Sequence, residues 1–210
     1  METRIAVRFL PTGRRKKQDL NHSFPEPVNR TTSRLRSIAL VAVGQVQEES
    51  IATLLERLPV KFAGATCRLV EMENTAEKWR NPHTNQYHAT RILEDLEKHT
   101  NQFQNDRLLG VTDLDRYVPG MNFVFGEAHL PGRTAIISTY RLKGHTSHGE
   151  AELLPVRVVK EGMHELGHTL GLTHCKDPLC VMCFSNSLVD TDRKKEDYCE
   201  ICSNKLGMNK

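Results

Sequence analysis

The apolar positions of this chain follow two spacings. Residues 38–43 form an unbroken apolar run of strand length, the pattern of a strand covered on both faces. Residues 47–58 place Ile51, Leu54, Leu55 and Leu58 at helical spacing, and 62–70 return as a strand. Residues 85–100 carry Ala89, Ile92, Leu93 and Leu96 on one face of a second helix. Residues 107–111 and 121–125 read as strands around a turn at Pro119-Gly120, and 134–140 as another. A polar loop over 144–150 then leads into a helix over 156–170. Ile5 to Leu10 is a candidate for one further short strand, and the tail has room for a helix after Thr191. The order βαβαβββα with an irregular tail predicts an α+β fold with an α/β-like N-terminal part: a mixed sheet with helices against it.

Composition narrows the class. A chain of 210 residues is one domain, or one domain with an appendage, and is long enough for a full core. Hydrophobic content of 38% and charged content of 26% suit a soluble globular protein. No apolar run approaches the roughly 20 residues of a membrane helix, so no membrane partner is expected. The first residues lack the apolar stretch of a secretory signal, so a cytoplasmic location is expected. The net charge of +3 is unevenly spread: residues 1–35 hold eight Lys or Arg against three acids, with Arg14-Arg15-Lys16-Lys17 in a row. No aromatic interleaves with that run, which removes the support for base stacking, and no nucleic acid is expected. Pro25 and Pro27 lie in a polar stretch, so 1–35 is expected to be a basic, flexible extension and 36–206 the folded domain.

The chemistry concentrates between positions 164 and 174, which read HExxHxxGxxH. Four residues apart on a helix, His164 and His168 project side by side toward one small ion. Gly171 is where the helix is expected to stop, since glycine takes the left-handed conformation of many helix ends. The chain then turns back and His174 supplies a third nitrogen. Three protein ligands with one open position mark a catalytic zinc site. Such an ion brings the pKa of its water down to about 7. Glu165, beside the ion rather than on it, would take the proton of that water as general base and pass it to the leaving amine. The reaction class that fits is hydrolysis of an amide bond.

Five of the six cysteines, Cys175, Cys180, Cys183, Cys199 and Cys202, fall within the last part of the chain. Paired clusters in a protein without a secretion signal read as zinc ligands before disulfides. Spacing favours Cys180, Cys183, Cys199 and Cys202, two C-x2-C pairs. A closed four-thiolate site leaves no position for substrate and stabilises a tail with little core of its own. Cys67, in an apolar-flanked run, reads as a packed core cysteine.

The extended histidine motif is the metzincin pattern. With His174-Cys175, Cys180-Val181-Met182 and Cys199-Glu200-Ile201-Cys202, the chain resembles one branch of it, the archaemetzincins. The segments Gly110 to Asp115 and Pro119 to Gly126 are similar to that family too, so the likeness covers about residues 37–206. It implies a twisted mixed sheet, an N-terminal subdomain over 36–171 ending in the zinc helix, and a small C-terminal subdomain over 172–206 stapled by a structural zinc. It implies two Zn2+ per chain and a peptide or protein substrate. It favours Cys175, Cys180, Cys199 and Cys202 as the structural ligands, since a ligand at Cys183 would restrain Met182. Met182 falls at the Met-turn position, beneath the metal. Two departures stand out. Cys175 follows the third histidine where many metzincins carry Asp, Ser or Pro, which would join the two metal sites mechanically. Phe184 stands where some carry a tyrosine that helps the transition state, so the oxyanion must be met by another group or by zinc alone.

Several smaller expectations follow. Residues 121–125 are the best candidate for a sheet edge to which an extended peptide adds. Asp113 and Asp115 are expected to cap a turn. His129, His145 and His148 are read as solvated loop histidines. The competing function is a non-catalytic zinc module that binds a peptide or protein, with a fourth ligand such as His22 closing the site. Glu165 and an open coordination position discriminate against it.

Overall fold

The computed structural model describes residues 7–9, 35–144 and 151–208. His22, the basic run at 14–17, Pro25, Pro27, His145 and His148 lie outside them, as does the expected flexible extension apart from one strand and Leu35. That strand, β1 (Val7–Phe9), falls within the short apolar run near the start of the chain.

Among the described residues the main sheet has six strands. In chain order they are β1, β2 (Ser37–Val43), β3 (Thr66–Val70), β5 (Arg107–Thr112), β7 (Gly126–Leu130) and β8 (Thr134–Ser138), and their spatial order is β1-β7-β8-β5-β2-β3. β2, β3, β5 and β8 run parallel, while β7 pairs antiparallel with β8 and parallel with β1. Two more short strands, β4 (Tyr87–His88) and β6 (Arg116–Tyr117), pair with each other apart from the main sheet.

Helices cover both faces, and the period of two explains how an all-apolar strand is used. Ile38 and Leu40 of β2 point into a core shared with α1 (Glu48–Lys61) and α3 (Leu154–Thr169). Ala39, Val41 and Val43 point the other way, into a core with Ile92, Leu93 and Leu96 of α2 (Ala89–His99). Leu109 and Leu108 of β5, and Ile137 and Ile136 of β8, divide in the same manner. The mixed sheet with packed helices is the α+β architecture that the pattern of the chain predicts.

The differences lie at element ends and have local causes. Residues 62–65 are not strand: Ala63 and Gly64 take φ of 52° and 84° as the chain leaves α1, so β3 starts at Thr66. α2 starts at Ala89 rather than 85, because Asn85 turns at φ 59° and Tyr87–His88 is used in pairing with Arg116–Tyr117. Residues 121–125 are not a strand either. Their backbone groups go elsewhere: Val124 N–H donates to Arg116 O, Asn122 O accepts from the Gln86 amide, and Phe125 O accepts from Ser138 N–H and from Arg116. The strand begins at Gly126 and is flanked by β1 and β8, so the expected peptide-accepting edge does not exist there. His129 sits on β7, buried, with Nδ1 3.2 Å from Glu97 Oε2, and is no loop histidine.

α3 runs through the middle of the molecule and is buried along nearly its whole length. The tail after it carries two short helices, α4 (Leu188–Arg193) and α5 (Glu200–Leu206). The buried Arg157 guanidinium forms a bidentate pair with Asp192 (2.7 and 2.7 Å), Lys160 Nζ donates to the carbonyls of Thr191 and Asp192, and Tyr198 OH donates to Met163 O at 2.7 Å. Arg57 and Lys61 of α1 pair with Glu196 and Asp197, so the tail is tied to two helices. Among the described residues no helix is long and apolar enough to cross a membrane.

On the far face, buried Asp95 of α2 collects hydrogen bonds from Trp79 Nε1 (2.7 Å), Thr75 Oγ1 (3.0 Å) and Lys98 Nζ (2.8 Å). Burial works against its charge, but these donors and Lys78 outweigh burial and hold the carboxyl below the usual range. A depressed carboxyl contributes stability above the unfolded pKa, and that stability is lost as pH falls. Asp95→Asn is therefore expected to lower stability at neutral pH. It should also flatten the loss that the wild type suffers below about pH 4, read from urea unfolding at a series of pH values.

Candidate active site

α3 ends where the motif requires. Gly171 takes φ 97°, its N–H donates to His168 O (2.9 Å), and Leu172 N–H reaches back to Gly167 O (3.0 Å). This pair of bonds is a Schellman ending, which satisfies the last carbonyls and reverses the chain. The reversal brings His174 to the other two histidines: one nitrogen from each of His164, His168 and His174 lies within 4.8 Å of the others.

Backbone carbonyls fix which nitrogens those are. His164 Nδ1 is 2.8 Å from Val181 O, and His168 Nδ1 is 2.7 Å from Leu172 O. A carbonyl only accepts, so each Nδ1 carries the proton and each Nε2 presents a lone pair. The two Nε2 atoms face each other at 3.1 Å with no hydrogen to share. Around a tetrahedral ion with bonds of about 2.0–2.1 Å, ligand nitrogens stand about 3.3–3.4 Å apart, so the donor set fits zinc. Burial keeps the imidazoles neutral, as ligands must be: it pushes His168 and His174 down to about 4 and His164 well below its ordinary value.

Met182 is fully buried and presses its sulfur against Gly167 of α3, between His164 and His168 in sequence. Phe184 follows it, its ring centroid 5.0 Å from that of His174. The position that would carry a hydroxyl donor is used to pack a histidine instead.

Glu165 is buried beside the histidines. Burial, reinforced by Glu161, raises its carboxyl well above the usual range, against the pull of Arg116. Such a group is a strong proton acceptor. It lies across Gly126, where an added Cβ would overlap the carboxyl. Arg116 stands behind this wall and is completely buried. Its Nη2 donates to Phe125 O (2.8 Å) and Ile136 O (3.4 Å). Its Nε and Nη1 have no hydrogen-bond partner among the described residues, and burial lowers its pKa to about 10.

The three histidines, Glu165 and Phe184 line a cleft of about 260 Å³. One wall is the irregular segment from Gly120 to Gly126, the other the tail at Phe184, Ser185 and Asn186, as expected for a tail that closes the site. Glu161 and Lys194 also line it, and the motif did not point to either. Asp113 and Asp115 do not face the cleft: Asp115 is held by Arg141 at 2.7 and 2.8 Å and Asp113 by Lys143 at 2.5 Å. Their work is to anchor the segment after β8 rather than to cap a turn.

The second cluster gathers Cys175, Cys180, Cys199 and Cys202, whose sulfurs lie within 4.8 Å of one another. Cys175 and Cys199 Sγ are 3.8 Å apart, against about 3.8 Å for thiolates on a tetrahedral ion with bonds of about 2.3 Å. Burial pushes the Cys180 thiol up to about 11 and Cys202 higher, whereas the backbone N–H of Cys202 and the neighbouring thiols outweigh burial at Cys199 and lower it. A divalent cation would deprotonate all four. Cys183 is not in the group. It pairs instead with Cys175 through a backbone bridge, so the loop between them closes on itself. Cys67 is half-buried on β3, and burial raises it to about 12, consistent with an unreactive packed thiol.

The sequence model of peptidase family M54 matches residues 51–208. The chain is 40% identical over 182 residues to the archaemetzincin of Pyrococcus abyssi, covering 82% of this chain and 95% of that one. It is 48% identical over 124 residues to that of Methanopyrus kandleri, covering 59% and 67%. Two crystal structures share the fold. That of the Archaeoglobus fulgidus archaemetzincin, complexed with malonate, matches with a TM-score of 0.70 at 39% identity, covering 80% of this chain and 99% of that one. That of Methanopyrus kandleri gives 0.72 at 36% identity, covering 86% and 97%.

Elemental analysis of cysteine variants tests the ligand set. Cys199→Ser is expected to lose about one equivalent of zinc and to unfold more readily, whereas Cys183→Ser should keep the wild-type metal content.

Proposed function

The chain belongs to peptidase family M54, the archaemetzincins, and is a zinc metallopeptidase; on that premise we propose that His164, His168 and His174 hold its catalytic zinc and that Glu165 is its general base. The observation that carries this reading is the pairing of hydrogen-free Nε2 atoms on His164 and His168 beside a buried carboxyl of raised proton affinity. A zinc ion held there supplies the Lewis acidity that makes a water nucleophilic near neutral pH. The site is then of the metzincin type, with Met182 as its floor.

The chain's own residues do the rest. Glu165 takes the proton of the attacking water and delivers it to the leaving nitrogen, its raised affinity matching the role of carrier between the two steps. Gly126 leaves the room in which the carboxyl lies. Arg116 fixes the wall through Phe125 O and opposes the repulsion that Glu161 and Glu127 exert on Glu165. The substrate peptide lies in the cleft between the 120–126 wall and the 184–186 wall.

Cys175, Cys180, Cys199 and Cys202 hold a second, structural zinc, giving two ions per chain. Residues 36–206 form the catalytic domain, with 36–171 and 172–206 as its subdomains. Reduced cysteines committed to metal suit a cytoplasmic protein.

Metal content and hydrolysis of a mixed peptide library, measured together, test the mechanism. Glu165→Gln is expected to retain two zinc ions and lose at least ~100-fold in kcat. Full activity in that variant would falsify the role given to Glu165. Two zinc ions with no cleavage by the wild type would favour a peptide-binding module instead. Gly126→Ala, which forces the carboxyl aside, is expected to keep both ions and to lower kcat by ~10-fold or more.

A further inference from the structure

Among the residues that line the cleft, Lys194 is the one Lys or Arg, and the mechanism above gives it no part. It follows directly on α4, with its backbone already extended. Its side chain is only 1% exposed, and Nζ reaches Cys183 O at 3.1 Å and Glu161 Oε1 at 3.4 Å. Glu161 is itself 4% exposed. Taking such a pair out of water costs several kcal/mol per ion, and apolar residues of similar volume often hold a core equally well. Packing alone therefore gives a weak reason for an ammonium at this point.

Its surroundings give a stronger one. Lys194 lines the same cleft as His164, His168, His174 and Glu165, the groups around the place where the peptide bond must lie. Arg116, behind the wall, acts on Glu165. Phe184 offers no hydroxyl, and Ser185 Oγ, though on the cleft wall, carries no charge to set against a developing oxyanion. Glu161 and Cys183 O engage two of the three ammonium hydrogens, which fixes the head group and, among the described residues, leaves one N–H uncommitted.

We propose that Lys194 stabilises the negative charge that develops on the scissile carbonyl oxygen. This rests on the peptidase reading above. In the first step the water oxygen bonds to the carbonyl carbon, the π pair moves onto the carbonyl oxygen, and the water proton passes to Glu165. In the second the pair returns, the C–N bond breaks, and the nitrogen takes the proton from Glu165. Lys194 gives up no proton. It supplies a fixed positive charge in a site of low dielectric, held before the reaction begins.

The test compares wild type, Lys194→Met, Lys194→Arg and the double variant Glu161→Gln/Lys194→Met, in which no carboxylate is left buried without its partner. Zinc content and Tm report folding. kcat and KM are measured for one peptide, and calorimetry gives the affinity of a phosphinic peptide of the same sequence, which carries an oxyanion at the reacting position. The double variant is expected to bind both ions, to lose about 100-fold in kcat with KM within a few-fold, and to lose phosphinate affinity to a similar degree. Lys194→Arg should recover part of both losses. A purely structural role would leave the ratio of phosphinate to substrate affinity unchanged. A double variant with wild-type kcat, or with a raised KM and unchanged kcat, overturns the proposal while wild-type hydrolysis leaves the peptidase reading standing. Absence of hydrolysis by the wild type overturns both.

Discussion

Two backbone carbonyls, those of Val181 and Leu172, decide which nitrogen His164 and His168 offer to a metal. Much of the molecule serves to hold those two oxygens in place. Leu172 follows the glycine that ends α3, so its position depends on the Schellman turn. Val181 lies between Cys180 and Met182, and its N–H donates to Asp197 O at 3.1 Å, so its position depends on the cysteine cluster and on how the tail folds back. The two histidines of α3 are thus oriented by a segment with little regular structure of its own. This is the relation expected of groups that hydrogen-bond to metal ligands.

The centre of the molecule is also unusually charged. Arg157, Lys160, Glu161, Glu165 and Lys194 are all buried on or against α3, and Arg116 on β6 and Glu127 on β7 are buried as well. The charges are of both signs: Glu165 has Glu161 and Glu127 of like sign and Arg116 and Lys194 of opposite sign about it, and Arg116 has Glu127, Glu165 and Asp115. A site of this kind is stiff, because moving any one charge leaves its neighbours uncompensated in a medium that screens poorly. Stiffness is useful where groups must be held to within fractions of an ångström before reaction.

The histidine cluster was legible in the sequence because it is a matter of spacing. His164, His168 and Gly171 are set by the period of one helix, whereas the grouping of Cys175, Cys180, Cys199 and Cys202 follows the likeness to a family and not bare C-x2-C spacing, which points to Cys183. The sheet was legible for the same reason, its strands being apolar runs with both faces covered. What spacing does not encode was missed. Residues 121–125 look like a strand, yet their backbone is engaged by Arg116, Gln86 and Ser138, partners that no local pattern announces. Lys194 lies in the run Asp192-Arg193-Lys194-Lys195, which reads as solvated surface. Only the return of the tail over α3 buries it, and Arg116, alone in a short strand, gives no sign of its complete burial.

No residue separates His174 from Cys175, although their side chains belong to different clusters. Cys175 is in turn paired through backbone with the stretch that follows Met182, its N–H donating to Met182 O at 2.9 Å. One peptide unit therefore belongs to both clusters, and there is no slack between them. An insertion of even one residue here would leave one ligand group or the other short of a member. Surface loops elsewhere in the chain are free to lengthen; this junction has a fixed length of zero, and any divergence of the tail has to take place around it.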